Sequence, residues 1–230
     1  MFTDTILWLF VLPGLLLGVY AQSRIRMNFA KYSQVRTLDG ITGGEVARRL
    51  LDLQGLQEVT IESTPGMLSD HYDPRSKTLR LSPQVYYVPS VAAAGIAAHE
   101  TGHALQDAKD YFPLEARHRI VPLVQLASQT APWLFIGGIM LQLPDLVWAG
   151  VILFGASSLF ALITLPVEFN ASVRAKDLLV RHGIIRGDEQ IIGVEKVLGA
   201  AAWTYVAAAV SAIGTWLFYA FFILSQTRRP

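Results

Sequence analysis

Apolar residues gather along this chain into four long runs, separated by two polar stretches. The runs cover about Thr5 to Ala21, Ile120 to Leu143, Leu146 to Pro166 and Ala200 to Leu224. A helix of about 20 apolar residues is long enough to cross the hydrocarbon core of a bilayer. The second and third runs follow one another with no charged side chain inside either. A soluble helical bundle would place charges on its outer faces, so these runs read as membrane spans. The expected fold class is a mainly α integral membrane protein with about four transmembrane helices and a small α+β domain. Only Asp4 precedes the first run and its basic residues follow it, so it reads as a retained anchor and not a cleaved leader.

The polar stretches carry shorter periodicities. Thr42-Gly43-Gly44-Glu45 is a capping-box pattern, expected to open a helix that turns Val46, Leu50, Leu51 and Leu53 inward. Val59 and Ile61 alternate with polar neighbours and predict a strand. Asp73 to Ser76 reads as a turn, and Thr78-Leu79-Arg80-Leu81 as a second strand. Ser82 and Pro83 open a short helix, and Ser90 caps a longer one. In the second stretch a helix is expected from Glu168 to about Arg181 and His182, stopped by Gly183. Another begins near Asp188 and runs into the fourth apolar run.

Charge adds an orientation. Basic residues cluster after the first run (Arg24, Arg26, Lys31, Arg36), before the second (Lys109, Arg117, Arg119) and after the third (Arg174, Lys176, Arg181). The Pro144-Asp145 turn between the second and third runs has none. The positive-inside rule then puts the N-terminus outside and both polar stretches in the cytoplasm, with only Arg228 and Arg229 pointing the other way. The formal net charge of +1 and the lack of a basic run exclude a nucleic-acid partner from the reading. No cysteine occurs among the 230 residues, so disulfides and thiolate ligands are excluded. Any metal must be held by His, Asp or Glu.

One run carries chemistry. His99-Glu100-Thr101-Gly102-His103 is an H-E-x-x-H pattern inside a helical segment. Ordinary residue frequencies place it in a chain of this length on the order of 1 % of the time. Histidines four apart lie about 40° apart around a helix, so both can reach one metal from the same face. Glu100 then stands beside that metal, where it can take a proton from a water. A catalytic zinc takes three protein ligands and leaves one position open. Two crossings separate the polar stretches, so both lie on one side, and Glu168 emerges at the end of the third span as the expected third ligand. Its alternative is an interfacial ion pair with Arg174 or Lys176. Asp107, Asp110, Glu115 and Glu195 are weaker candidates. Of the other histidines, His71 reads as an exposed turn residue, His118 as a membrane-interface residue and His182 as a residue suited to a helix C-terminus.

The chain resembles the membrane-bound neutral zinc metallopeptidases of bacteria over nearly its whole length. The likeness rests on Ser69 to Pro74, Leu79 to Ser82, Ala97 to Gln106, Leu165 to Ser172, and Lys196-Val197-Leu198 with Ala200 to Val206. Around its motif it is also similar to the gluzincins, in which a downstream glutamate is the third ligand. That resemblance implies His99, His103 and Glu168 as ligands of one Zn²⁺ per chain. Those enzymes often carry an aspartate four residues past the glutamate to orient a histidine. Ser172 stands there instead, so the contact is expected either to differ or to come from elsewhere, with Asn170 and Asp177 as candidates.

The implied activity is hydrolysis of peptide bonds in membrane-associated proteins or peptides at the cytoplasmic face, with Glu100 as general base. Tyr205 or His182 is expected to stabilise the oxyanion, and the strand Thr78 to Leu81 to take extended substrate as an added strand. The corresponding organisation is a membrane helix (1–21), a catalytic α+β region (22–119), a transmembrane hairpin (120–166), helices with the third ligand (167–199) and a last membrane helix with its tail (200–230). Two rivals stand beside it. A site-2-type intramembrane protease would use an aspartate on a later membrane helix, which is absent, since Leu38-Asp39-Gly40 lies upstream. A non-catalytic scaffold with a structural zinc would have no need of Glu100.

Overall fold

A computed structural model describes residues 2–227, with side chains over 7–225. Arg228 and Arg229 lie outside the described residues. The elements run α1 (Phe2–Tyr32), α2 (Gly43–Leu53), β1 (Thr60–Ser63), β2 (His71–Asp73), β3 (Thr78–Leu81), α3 (Pro83–Tyr86), α4 (Val91–Ala108), α5 (Phe112–Met140), α6 (Pro144–Arg181) and α7 (Gly187–Thr227). Four of these, α1, α5, α6 and α7, are long and apolar enough to cross a membrane. The protein is a mainly α, multi-pass membrane protein with a small three-stranded sheet.

The chain divides into two compact units. One holds residues up to Ala21, Glu115–Pro166 and Trp203 onward; the other holds Gln22–Leu114 and Val167–Ala202. In the first unit, helices meet through small residues, as membrane helices do where lipid offers no hydrophobic drive to pack. A Cβ on Gly14 of α1 would lie 2.6 Å from the Ser211 Cα of α7, and one on Gly138 of α5 would lie 2.6 Å from the Val147 nitrogen of α6. Trp216 of α7 donates its indole N–H to the Val151 carbonyl at 3.2 Å. Tyr219 packs its ring against Phe135 and Phe154.

In the second unit, α2 opens on the capping box expected of it, with the Glu45 N–H donating to Thr42 and the Thr42 N–H to Glu45. Val46, Leu50 and Leu51 are fully buried there, whereas Leu53 is 50 % exposed at the helix end. The Ser90 hydroxyl accepts from the Ala93 N–H and starts α4. One core joins Val46, Leu50, Leu79, Leu81, Ala94, Ala97, Leu179 and Val194. Asn28, beyond the apolar part of α1, donates to the Lys196 carbonyl of α7 at 2.9 Å.

Three expectations change here. The helix of Glu168 does not start afresh after the third apolar run: α6 continues from Pro144 to Arg181 through Pro166, and Gly183 follows in the left-handed conformation, φ +64°. His71 lies on a strand and not in a turn, and this strand, β2, pairs antiparallel with β3. It is too short for periodicity to reveal. The sheet order is β1-β3-β2, with β1 parallel to β3. Thr78–Leu81 is therefore the central strand with both edges paired, and it cannot take a further strand. The strands with an open side are β1 and β2.

Candidate metal centre

Helix α4 presents His99 and His103 one turn apart on one face, with ring centroids 4.8 Å apart and planes nearly perpendicular. Helix α6 runs antiparallel beside it, as the pairs His99 with Ser172 and Gln106 with Val167 require. Gly102 allows the approach. A Cβ there would lie 2.8 Å from the Ala171 carbonyl oxygen and 3.2 Å from its Cα. Glu168 consequently brings one carboxylate oxygen to 3.3 Å from His99 Nε2 and 3.5 Å from His103 Nε2.

These distances suit a shared metal. Zinc bonds of about 2.0–2.2 Å at tetrahedral angles separate neighbouring donors by about 3.3–3.6 Å. The three residues are the group among the described residues whose donor atoms, all within 4.8 Å of one another, could hold a metal ion. Two imidazoles and a carboxylate form a donor set that zinc accepts. The histidine side chains are 12 % exposed and Glu168 only 3 %.

The outer contacts agree with metal binding through both Nε2 atoms. His99 Nδ1 lies 3.1 Å from Ser172 Oγ, and His103 Nδ1 lies 2.9 Å from Gln106 Oε1. The Gln106 oxygen can only accept, and the Ser172 hydroxyl can accept, so each ring can carry its proton on Nδ1 and leave the Nε2 lone pair free. Burial by itself depresses the His103 imidazole. The hydrogen bond to Glu168 and the charges of Glu100 and Glu168 outweigh it and hold the ring above its ordinary pKa.

Glu100 is 9 % exposed and makes no hydrogen bond among the described residues. Its charge reaches Asp70, whose carboxyl is raised first by burial, against hydrogen bonds from the Ser82 N–H and hydroxyl, and further by Glu100. Tyr72 of β2 donates to Asp107 of α4 at 2.9 Å, which ties the open strand to the motif helix.

The competing acids are occupied elsewhere. Asp107 accepts from Tyr72, Glu115 pairs with Arg119, and Glu195 with Lys176. Asp110 stands in the turn after α4 with φ +48°. Arg174 donates to Asn170, so neither it nor Lys176 forms the ion pair with Glu168 that was the alternative. His182 is not brought to the site: it directly follows Arg181, the last residue of the helix that carries Glu168, about 20 Å away by helical rise. Its Nε2 is buried without a hydrogen-bond partner. Tyr205 lies on the part of α7, from Trp203 onward, that belongs to the other unit.

Of the two expected alternatives for the orienting contact, the structure has the altered one. Ser172 itself reaches His99, whereas Asn170 bonds to Gln106 and Asp177 pairs with Arg181. Gln106 went unrecognised in the sequence. Its signal is its spacing, three residues past His103 on the same helical face.

Two histidines and a glutamate of this kind beside a free carboxylate are what zinc-dependent peptide hydrolysis uses. Here they are carried by a multi-pass membrane protein. The chain belongs to the family described as putative neutral zinc metallopeptidases, which it matches over residues 7–225. It is 52 % identical over 194 residues to a Bacillus subtilis (strain 168) protein named putative membrane protease YugP, covering 84 % of this chain and 86 % of that one. No solved structure matches it.

Proposed function

We propose that this protein is a zinc-dependent endopeptidase that cuts membrane-associated proteins or peptides at the cytoplasmic membrane surface. The observation that carries the reading is the convergence of His99, His103 and Glu168 at donor spacing beside an unpartnered Glu100. One zinc held by these three would act as a Lewis acid and bring the pKa of a bound water to about 7. Glu100 takes the proton from the attacking water and delivers it to the leaving amine. Its near burial and its lack of a hydrogen-bond partner leave the carboxylate free to do both.

Extended substrate pairs with the open side of β2. This strand precedes the occupied β3, is anchored to α4 through Tyr72, and follows Asp70, which feels the Glu100 charge. The cytoplasmic assignment rests on the basic residues that flank the spans, and the surface location on Glu168 following Pro166 by two residues.

The test uses the full chain purified in detergent, with metal analysis and cleavage of a casein-type substrate. One zinc per chain is expected, and Glu100→Gln should keep it while cleavage falls about 10²- to 10⁴-fold. A zinc-loaded Glu100→Gln variant cutting at the wild-type rate would remove Glu100 from the mechanism. A zinc-loaded wild type that cuts nothing would favour the structural scaffold.

A further inference from the structure

Beyond the three ligands, a line of hydrogen bonds runs from His103 to the far side of α6. His103 Nδ1 meets Gln106 Oε1 at 2.9 Å. The Gln106 amide donates to the Val167 carbonyl at 2.8 Å and to Asn170 Oδ1 at 3.0 Å. Asn170 Oδ1 also accepts from Arg174 Nε at 2.6 Å. The Arg174 guanidinium lies 5.9 Å from the ring centre of Tyr111, whose backbone N–H donates to the Gln106 carbonyl at 2.9 Å. Gln106 is fully buried.

We propose that Gln106, Asn170 and Arg174 are a positioning relay that fixes the tautomer of His103 and thereby the strength of its metal bond. Groups that can only give and groups that can only take set the direction of the line. A guanidinium has donors and no acceptor, so Arg174 requires the Asn170 oxygen, not its amide nitrogen. The Val167 carbonyl can only accept, so it requires the Gln106 amide nitrogen. Both ends demand the same orientation of Gln106, with its NH₂ toward α6 and its oxygen toward His103. That oxygen can only accept, so the proton of a neutral His103 must reside on Nδ1, and Nε2 keeps its lone pair. A flipped Gln106 would turn its oxygen onto two other acceptors in a buried place. The two histidines are consequently held unequally. His99 faces a single hydroxyl that can give or take, whereas the polarity at His103 is set by an obligate donor three side chains away.

The inference rests on the zinc reading above, and the experiment separates the two. Zinc affinity is measured by chelator competition on the full chain in detergent, with the visible spectrum of the cobalt-substituted protein and the melting of the metal-free form alongside. Gln106→Leu is expected to weaken zinc about 10- to 100-fold and to change the cobalt spectrum. Asn170→Leu and Arg174→Met should follow with about 3- to 30-fold losses. The rescue variants Asn170→Asp and Arg174→Lys, which keep an acceptor and a donor, should stay within about twofold of wild type. Wild-type affinity and spectrum in all three disruptive variants would overturn the relay, as would equal damage from Asn170→Asp and Asn170→Leu. Variants that only melt earlier, with zinc affinity intact, would also overturn it. A wild-type chain that binds no zinc would instead overturn the reading of the centre.

Discussion

The two units of this protein differ in how often their polar side chains reach from one element to another. In the membrane-helix unit, three hydroxyls turn back onto their own helices, Thr164 to the Phe160 carbonyl, Thr215 to Ser211 and Ser128 to Gln125, while the Trp216 indole crosses from α7 to the Val151 carbonyl of α6. In the unit that holds the metal centre, polar side chains reach across elements. Gln106 reaches Val167, Asn28 reaches Lys196, Tyr72 reaches Asp107 and Ser82 reaches Asp70. A hydroxyl bonded to its own helix fixes nothing outside that helix. A side chain bonded to a distant element fixes the position of both. The first unit therefore takes its cohesion mainly from close backbone approach and apolar contact, with the Trp216–Val151 bond beside them, and the second adds a polar framework that sets where three donor atoms stand.

The largest effect should come from the donor set itself. Glu168→Ala removes one of the three proposed ligands and leaves two imidazoles facing a gap. Zinc affinity, read by chelator competition, should fall beyond the roughly 100-fold upper end of an outer contact. Retention of wild-type affinity would mean that the third ligand lies elsewhere.

That residue also marks how far the sequence could be read. The four spans follow from apolar run length, and His99, Glu100 and His103 follow from spacing on one helix. Glu168 was reached by supposing that two spans return the chain to the same side. Periodicity failed where elements are short or continuous. Strand β2 has three residues, too few for alternation to show. Helix α6 passes through Pro166 without ending, although a proline usually marks a helix boundary. The role of Thr78–Leu81 was misread because a strand's place in a sheet depends on its partners, and one of those is β2. His182 illustrates the same limit, since 14 positions along one helix are far apart in space.

Close approach should matter in both units but differ in consequence. Gly102→Ala places a methyl against the Ala171 backbone, which cannot swing aside as a side chain can. Overpacking of this kind costs about 1–3 kcal/mol, and here it also pushes α6 and its glutamate away from α4. Thermal melting should fall and zinc affinity with it, by about tenfold if the loss resembles that of an outer contact. Gly14→Ala meets the Ser211 backbone in the membrane-helix unit. Its melting should fall similarly, while zinc affinity stays at the wild-type value. Equal loss of zinc in both variants would erase the distinction between the units.

A smaller effect is expected at the weaker histidine contact. Ser172→Ala leaves His99 Nδ1 without its acceptor at 3.1 Å. Zinc should bind about tenfold more weakly, at the lower end for outer contacts because a neutral hydroxyl is replaced. Ser172→Asp supplies an ionised acceptor and should bind zinc at least as tightly as the wild type. An aspartate variant weaker than the alanine one would show that the hydroxyl serves His99 by donating.

The smallest effect should come from an ion pair that spans two elements but lies in water. Lys176 of α6 meets Glu195 of α7 at 2.7 Å, with side chains 48 % and 46 % exposed. By connectivity it resembles the buried contacts, since it joins helices in the unit of the metal centre. By environment it does not, because exposed pairs gain little Coulomb energy and pay the entropy of holding two long side chains. If burial is what gives a crossing contact its influence, Lys176→Met should change stability by no more than about 0.5 kcal/mol and leave zinc affinity untouched. Thermal melting and chelator competition on the same sample read both. The variant also frees Glu195, the acid weighed against Glu168 as third ligand. A gain or loss of zinc affinity on freeing it would mean that Glu195 reaches the metal, and the framework would then extend to the α6–α7 surface.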